Sequence, residues 1–186
     1  MALYTRKGDK GDTSAFGCCD RFSKNSPLAE ALGSLDEINS LLGICKSKSA
    51  GLKIEIRQEN RELEDIIEKI QEDLFIIQAQ IAGSDKKIAS DKIGDIENII
   101  DEIESQLPKV KSFFISGGTE LSAFFDYARA VSRRAERKTI AFAESEKNEV
   151  QPETLAYLNR LSSLLYALAR IVNVKLEVSE KPPSYK

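Results

Sequence analysis

The sequence predicts an all-α protein, a five-helix up-and-down bundle behind an N-terminal loop, and three observations carry the prediction. Five prolines and ten glycines in 186 residues leave long stretches unbroken. Within those stretches the apolar positions recur at threes and fours rather than at twos, which is the helical period. Apolar residues make up 41% and charged residues 31% of the chain, too apolar for disorder and too interrupted by charge for a membrane span. One domain suffices, because domains usually run about 100 to 200 residues: an N-terminal loop over 1–25, the bundle over 26–178 and a tail over 179–186 that reads as a frayed end.

Each helix has its own signal. Ser26-Pro27 is a cap followed by a first-turn proline, and Leu28, Leu32, Leu35, Ile38 and Leu42 form the first apolar stripe, running to about Lys46. Leu63, Ile66, Ile70, Leu74, Ile77 and Ile81 step at bundle spacing within a second helix over about residues 53 to 82, ended by Gly83-Ser84-Asp85. Ile96, Ile99, Ile100 and Ile103 mark a third over about 91 to 105, stopped by Pro108. The link from Lys109 to Gly118 holds Phe113, Phe114 and Ile115, an unusual composition for a surface loop. Leu121, Phe124, Ala128, Val131 and Ala135 mark the fourth helix over about 119 to 146, and Leu155, Leu158, Leu161, Leu165 and Leu168 the fifth, from Pro152.

Composition narrows the chemistry. Twenty-seven basic against thirty acidic residues give a net charge of −3, which argues against nonspecific nucleic-acid binding, so any anion site is local. Histidine is absent, which removes Ser-His and Cys-His nucleophiles, histidine acid-base catalysis and the Glu-x-x-His signature of di-iron bundles. Cys18, Cys19 and Cys45 suggest neither a disulfide framework nor a zinc knuckle, and reduced thiols suit a cytoplasm. The N-terminal stretch has no apolar h-region, so a cytoplasmic chain without a membrane partner is expected.

Four constellations remain. Thr5-Arg6-Lys7-Gly8-Asp9-Lys10-Gly11-Asp12-Thr13 combines glycines, cations and hydroxyls in the manner of an anion cradle, in which Asp9 or Asp12 could meet a magnesium ion; the other reading is a flexible charged arm. Arg129, Arg133 and Arg137, spaced by four, line one stripe beside the apolar face, with Glu136 nearby. They answer either a polyanion or an ion-pair network with Asp36, Glu37 or other helices. Asn159, Ser163, Tyr166 and Arg170 share one polar flank of the fifth helix, which is either functional or merely solvated. In Gly33-Ser34-Leu35-Asp36-Glu37-Ile38-Asn39 a helix-interior glycine weakens the helix by ~1 kcal/mol relative to alanine, and it permits tight packing, a ligand or a partner subunit.

Taken in this order, the segments resemble the PduO-type ATP:cob(I)alamin adenosyltransferase family over most of the chain. Thr5 through Thr13 is similar to the family's Thr-Arg-x-Gly-Asp-x-Gly-Thr element with Asp12 inserted, and Gly33 through Asn39 to Gly-x-x-Asp-Glu-x-Asn. Phe113 through Gly118 is similar to Phe-x-x-Pro-Gly-Gly with Ser116 in place of proline. Ala128 through Arg137 and Leu158 through Ser162 match without a break, while Ser163 stands where the family commonly has aspartate. The resemblance implies a cobalamin adenosyltransferase-like bundle, ferritin-like in form, assembled as a homotrimer with active sites between subunits.

It further implies ATP contacts from Thr5, Arg6, Lys7, Gly8, Asp9, Gly11, Thr13, Lys24, Arg133, Glu136, Arg137 and Asn159, with magnesium held through the ATP phosphates. Asp36 and Arg129 would pair across an interface, and Phe113 and Ser163 would face cobalamin, Phe113 beneath the corrin ring where it keeps the lower base from cobalt. The substrates would be ATP and cob(I)alamin, with a reductase supplying Co(I). Co(I) is itself the nucleophile and triphosphate a stable leaving group, so the missing histidine costs nothing. The rivals are a helical-bundle interaction protein that docks an acidic partner and an ATP-binding sensor without a corrin.

Overall fold

The structure is a computed structural model that describes residues 4–15, 20–110, 112–145 and 149–185. Cys18 and Cys19 lie outside the described residues. Five helices carry the fold: α1 (Pro27–Lys48), α2 (Leu63–Ile81), α3 (Ser90–Gln106), α4 (Glu120–Ser145) and α5 (Pro152–Lys175). Ser26 caps α1 as its composition predicts, its hydroxyl accepting the Ala29 N–H at 3.2 Å while Pro27 supplies the first turn. Helix α1 packs between α2 and α4, and α5 packs on both α4 and α3. Ion pairs from Lys138 to Glu30, Arg134 to Glu37 and Lys48 to Glu120 rise along α1 as they descend α4, so those two helices are antiparallel. The core between the helices is the predicted one, with Leu35, Ile38, Leu42, Leu74, Leu161 and Leu165 fully buried. No helix among the described residues is long and apolar enough to cross a membrane.

Two expectations are corrected. The second helix does not begin near residue 53, because residues 53–62 form a hairpin of β3 (Lys53–Ile56) and β4 (Glu59–Glu62), with Lys53 opposite Glu62 and Ile56 opposite Glu59. Ile54 and Ile56 are buried while Lys53 and Glu55 are exposed, the two-residue period of a strand. Arg57 and Gln58 make the turn with both φ angles positive, +53° and +63°. Nor does the tail fray: the Val178 N–H donates to the Asn173 carbonyl at 2.8 Å, the Ile115 N–H donates to that of Lys181 at 2.9 Å, and Glu180 pairs with Arg170 at 3.0 Å. A short ladder of β1 (Asp12–Thr13) and β2 (Phe22–Ser23) closes the N-terminal loop. Cys45 is buried, and burial pushes its thiol up to about 12, so it fills space as an unreactive thiol.

A carboxylate lies deep in the core. Asp73, 2% exposed, accepts a hydrogen bond from the Tyr157 hydroxyl at 3.0 Å and pairs with Lys92, tying α2 to α5 and α3. Burial above all, then the Asp73 charge, raises the Tyr157 phenol well above its usual value of 10.0. Above that value the unfolded chain loses the phenolic proton while the native chain keeps it, so the native state binds more protons and stability falls as pH rises. Urea denaturation should show this loss in the wild type and a smaller one in Tyr157→Phe. Asp73→Ala, which strands Lys92 and the phenol, should cost about 3 kcal/mol at neutral pH.

Candidate active site

The apolar loop after α3 is held from behind and open in front. Phe114 is half-buried beneath the Arg170 guanidinium, 5.2 Å from ring centre to guanidinium carbon, whereas Phe113 is 79% exposed. The Gly117 N–H donates to Asp126 Oδ2 at 2.7 Å, and the Asn173 amide spans the turn, Nδ2 donating to the Gly117 carbonyl at 3.0 Å and Oδ1 accepting the Thr119 N–H at 3.2 Å. Gly118 has φ +120°, and a Cβ there would lie 2.5 Å from Asn173 Oδ1, so only glycine fits.

This loop walls a cavity of about 410 Å³ with Phe113, Phe114, Ile115, Asp126, Arg129 and Tyr166. A second cavity of about 270 Å³ adjoins it, lined by Arg129, Arg133, Ser163, Tyr166 and Arg170. Arg129 and Tyr166 line both, the guanidinium 5.6 Å from the ring centre, so the two form one cleft along α4 and α5. Burial raises the Asp126 carboxyl above the usual range and Glu180 pushes the same way, against the Gly117 N–H and Arg129. Burial raises the Tyr166 phenol as well.

The arginine stripe forms no salt bridge among the described residues, although the Asp126 carboxylate lies near enough to Arg129 to feel its charge. Arg129, Arg133 and Arg137 are exposed, and none of the three has a carboxylate partner among the described residues. Glu37 pairs instead with Arg134, and Asp36, exposed on α1, has no ion pair within the described chain. The network offered as an alternative for the stripe therefore does not form among the described residues. Arg137 Nη1 donates to the Arg133 carbonyl at 3.1 Å. Asn159 bridges two charged neighbours, its Nδ2 donating to Glu136 Oε1 at 3.0 Å and its Oδ1 accepting from Arg160 Nη1 at 2.9 Å. Arg129, Arg133, Ser163 and Phe113 thus share one cleft, with the Glu136–Asn159 pair on the same two helices.

The N-terminal loop is ordered by its own contacts. Arg21 grips both Asp12 oxygens at 2.8 Å and donates to the Lys7 carbonyl at 2.7 Å, while Lys24 Nζ donates to the Gly8 carbonyl at 2.9 Å. A Cβ on Gly8 would approach Lys24 Nζ to 3.0 Å, and Arg6 has φ +58°. Asp12 is committed to Arg21, whose hydrogen bond holds its carboxyl below the usual range, which leaves Asp9 as the exposed carboxylate of the segment from Thr5 to Thr13. Thr5, Arg6, Lys7, Gly11 and Thr13 lie on this loop, and among the described residues no hydrogen bond, ion pair or cavity lining joins it to the cleft. Gly33 is exposed on α1 with nothing within 4 Å of a built Cβ, so tight packing within the chain does not account for it. No group of three Asp, Glu, Cys or His that could hold a metal ion occurs among the described residues.

Sequence reading missed Arg21, Asp126, Asn173 and Glu180. A signal existed only for Asn173, a lone polar residue in Ile171-Val172-Asn173-Val174. Gly118→Ala should force the turn apart at a cost of about 1 to 3 kcal/mol. Thermal melting should register a small drop while helix content by circular dichroism stays at the wild-type value.

The relatives of this chain agree with the geometry. A profile described as cobalamin adenosyltransferase matches residues 3–172. The chain is 33% identical over 184 residues to the corrinoid adenosyltransferase of Bacillus subtilis, covering 97% of this chain and 91% of that protein. It is 36% identical over 195 residues to the corrinoid adenosyltransferase PduO of Salmonella typhimurium, where it covers 97% of itself and spans about half, 54%, of the relative. A solved variant of the PduO-type ATP:corrinoid adenosyltransferase of Lactobacillus reuteri, with a phenylalanine changed to histidine and complexed with cobalamin and ATP, superposes with a TM-score of 0.86 at 29% identity, over 98% of this chain and 97% of that one. An arginine-to-lysine variant of the same enzyme, complexed with ATP, gives 0.83 at 29% identity over 97% and 99%. With its five-helix bundle and a family match over nearly its full length, the chain belongs to the cobalamin adenosyltransferase family.

Proposed function

We propose that this protein transfers the 5'-deoxyadenosyl group of ATP to Co(I) of a corrinoid and releases triphosphate. One observation carries the reading: a single cleft joins Arg129 and Arg133, two guanidinium groups without a salt bridge among the described residues and suited to a polyphosphate, to an exposed phenylalanine on an apolar loop, suited to the face of a flat apolar macrocycle. Co(I) attacks C5' of the ribose, the C5'–O bond breaks, and the electron pair leaves on triphosphate. No proton moves, so no general base is required.

In this reading Arg133 and Arg137 meet the phosphates, Arg129 stands between nucleotide and corrin, and the Glu136–Asn159 pair presents polar groups to the nucleoside. Phe113 covers the lower face of the corrin and excludes an axial base, and Ser163 lies at its edge. Thr5, Arg6, Lys7, Gly8, Asp9, Gly11, Thr13 and Lys24 close over ATP. Among the described residues this loop has no link to its own chain's cleft, which supports a homotrimer in which the loop of one subunit lies over the cleft of the next. The open Gly33 and unpaired Asp36 favour the same assembly, in which Asp36 of one subunit pairs with Arg129 of another. Magnesium would ride on the triphosphate, since the described residues offer it no cage. The chemistry calls for a reductase that supplies Co(I), and the low potential involved, with the free thiol of Cys45, favours the cytoplasm.

The test is anaerobic incubation with ATP, magnesium and chemically reduced cobalamin, followed by the visible spectrum of the alkylcobalamin. Arg133→Ala should lower kcat by about a hundred- to a thousand-fold, the worth of one transition-state donor. Helix content should persist, and an unchanged kcat would reduce the stripe to a solvated face. Phe113→Ala should leave the melting temperature unchanged, since the ring is exposed in the chain. Its rate loss should be large with a biological reductant and shrink with excess strong reductant or with a corrinoid that lacks the lower base. Equal impairment under all these conditions would refute the cobalt-face role.

A further inference from the structure

We propose that Arg170 is a positioning residue for the corrinoid: its ion pair with Glu180 clamps the C-terminal segment onto the loop that carries Phe113 and so fixes the wall of the larger cavity. The functional half of this inference rests on the adenosyltransfer reading. Arg170 is only 5% exposed, a depth at which a guanidinium is costly unless its donors are met. They are met from distant stretches of chain. Arg170 Nε donates to Glu180 Oε2 at 3.0 Å and Nη2 to the Pro108 carbonyl at 3.2 Å, while the Phe114 and Tyr166 rings lie 5.2 and 6.0 Å from the guanidinium carbon. One side chain on α5 therefore holds the loop at its entrance, the loop at its middle, and the tail.

The tail in turn holds the loop. Next to Glu180, the Lys181 carbonyl accepts the Ile115 N–H at 2.9 Å, two residues beyond Phe113. Phe113 itself is 79% exposed, so its place is inherited from Phe114 and Ile115. Glu180 also lines the larger cavity beside Phe113 and Asp126. Neutralising Glu180 would leave Arg170 with uncharged acceptors only and remove the charged anchor of the tail.

Glu180→Gln in the full-length protein tests the clamp, because it keeps the side-chain size and lies outside every helix. Glu177→Gln makes the same charge change three residues away, at an exposed position. In Glu180→Gln, amide exchange at Ile115 should speed up, and KM for cob(I)alamin should rise, each on the order of tenfold, the worth of one charge-assisted hydrogen bond. KM for ATP should stay at the wild-type value, and Glu177→Gln should change none of the three. Wild-type exchange at Ile115 in Glu180→Gln, a wild-type KM for the corrinoid, or equal rises in both KM values would overturn the proposal. A wild-type protein that fails to adenosylate would count against the functional reading instead, and exchange at Ile115 would still decide the clamp.

Discussion

The site depends on a charge imbalance that the fold tolerates on one helix. Arg129, Arg133 and Arg137 stand one turn apart on α4 with no carboxylate partner among the described residues, although the chain as a whole carries a net −3. Like charges four residues apart on an exposed helix face cost only about 0.2 to 0.5 kcal/mol per pair, because water screens them. A single fully buried apolar side chain contributes about 1.5 to 3 kcal/mol, and α4 buries Leu121, Phe125 and Val131 on its other side. Core packing therefore outweighs the repulsion several times over. The same arginines would be intolerable if buried unpaired, and on the proposed reading Arg133 and Arg137 would be of little use to a phosphate if carboxylates of their own chain answered them.

The loop that carries Phe113 solves the opposite problem, which is to keep an apolar ring in water without letting it collapse onto the core. Its neighbours take the buried positions. Phe114 goes under Arg170, Gly117 is tied to Asp126 and Asn173, and Gly118 meets the Asn173 amide too closely for any side chain. With the residues that follow it held in place, Phe113 has little freedom to fold inward, so its exposure follows from the order of its neighbours. Asp126 bears part of the cost, since its half-buried carboxylate is disfavoured by desolvation and by Glu180. Its hydrogen bond from Gly117 and the nearby Arg129 offset that cost.

Much of this was legible from the residues. The helices were readable because each buries a stripe at the helical period, and the arginines because four-residue spacing fixes a common face. The hairpin over 53–62 was missed because the strong stripe that begins at Leu63 was extended backward over Lys53-Ile54-Glu55-Ile56, whose alternation is the strand period. Its turn gives no glycine signal, as Arg57 and Gln58 adopt the positive φ angles themselves. The docked tail was hidden for another reason: Pro182-Pro183 reads as a terminus, and nothing local to Glu180 announces a partner ten residues back on a helix. Pairings such as Arg21 with Asp12 depend on where the chain turns, which residue types alone do not encode.

The N-terminal loop shows how a segment can stay ordered while waiting for a ligand. Its organising contacts run from cations to backbone carbonyls and to one carboxylate: Arg21 to Asp12 and Lys7, Lys24 to Gly8. Arg21 spends Nε and Nη2 on these bonds, while an ammonium has three donors and Lys24 commits one of them to Gly8. Lys24 can therefore hold Gly8 and meet a phosphate at once. On the proposed reading, Arg21 and Lys24 hold the described part of the loop while Lys24, Arg6 and Lys7 offer charge to the phosphates, so that less conformational entropy is lost there when a nucleotide binds.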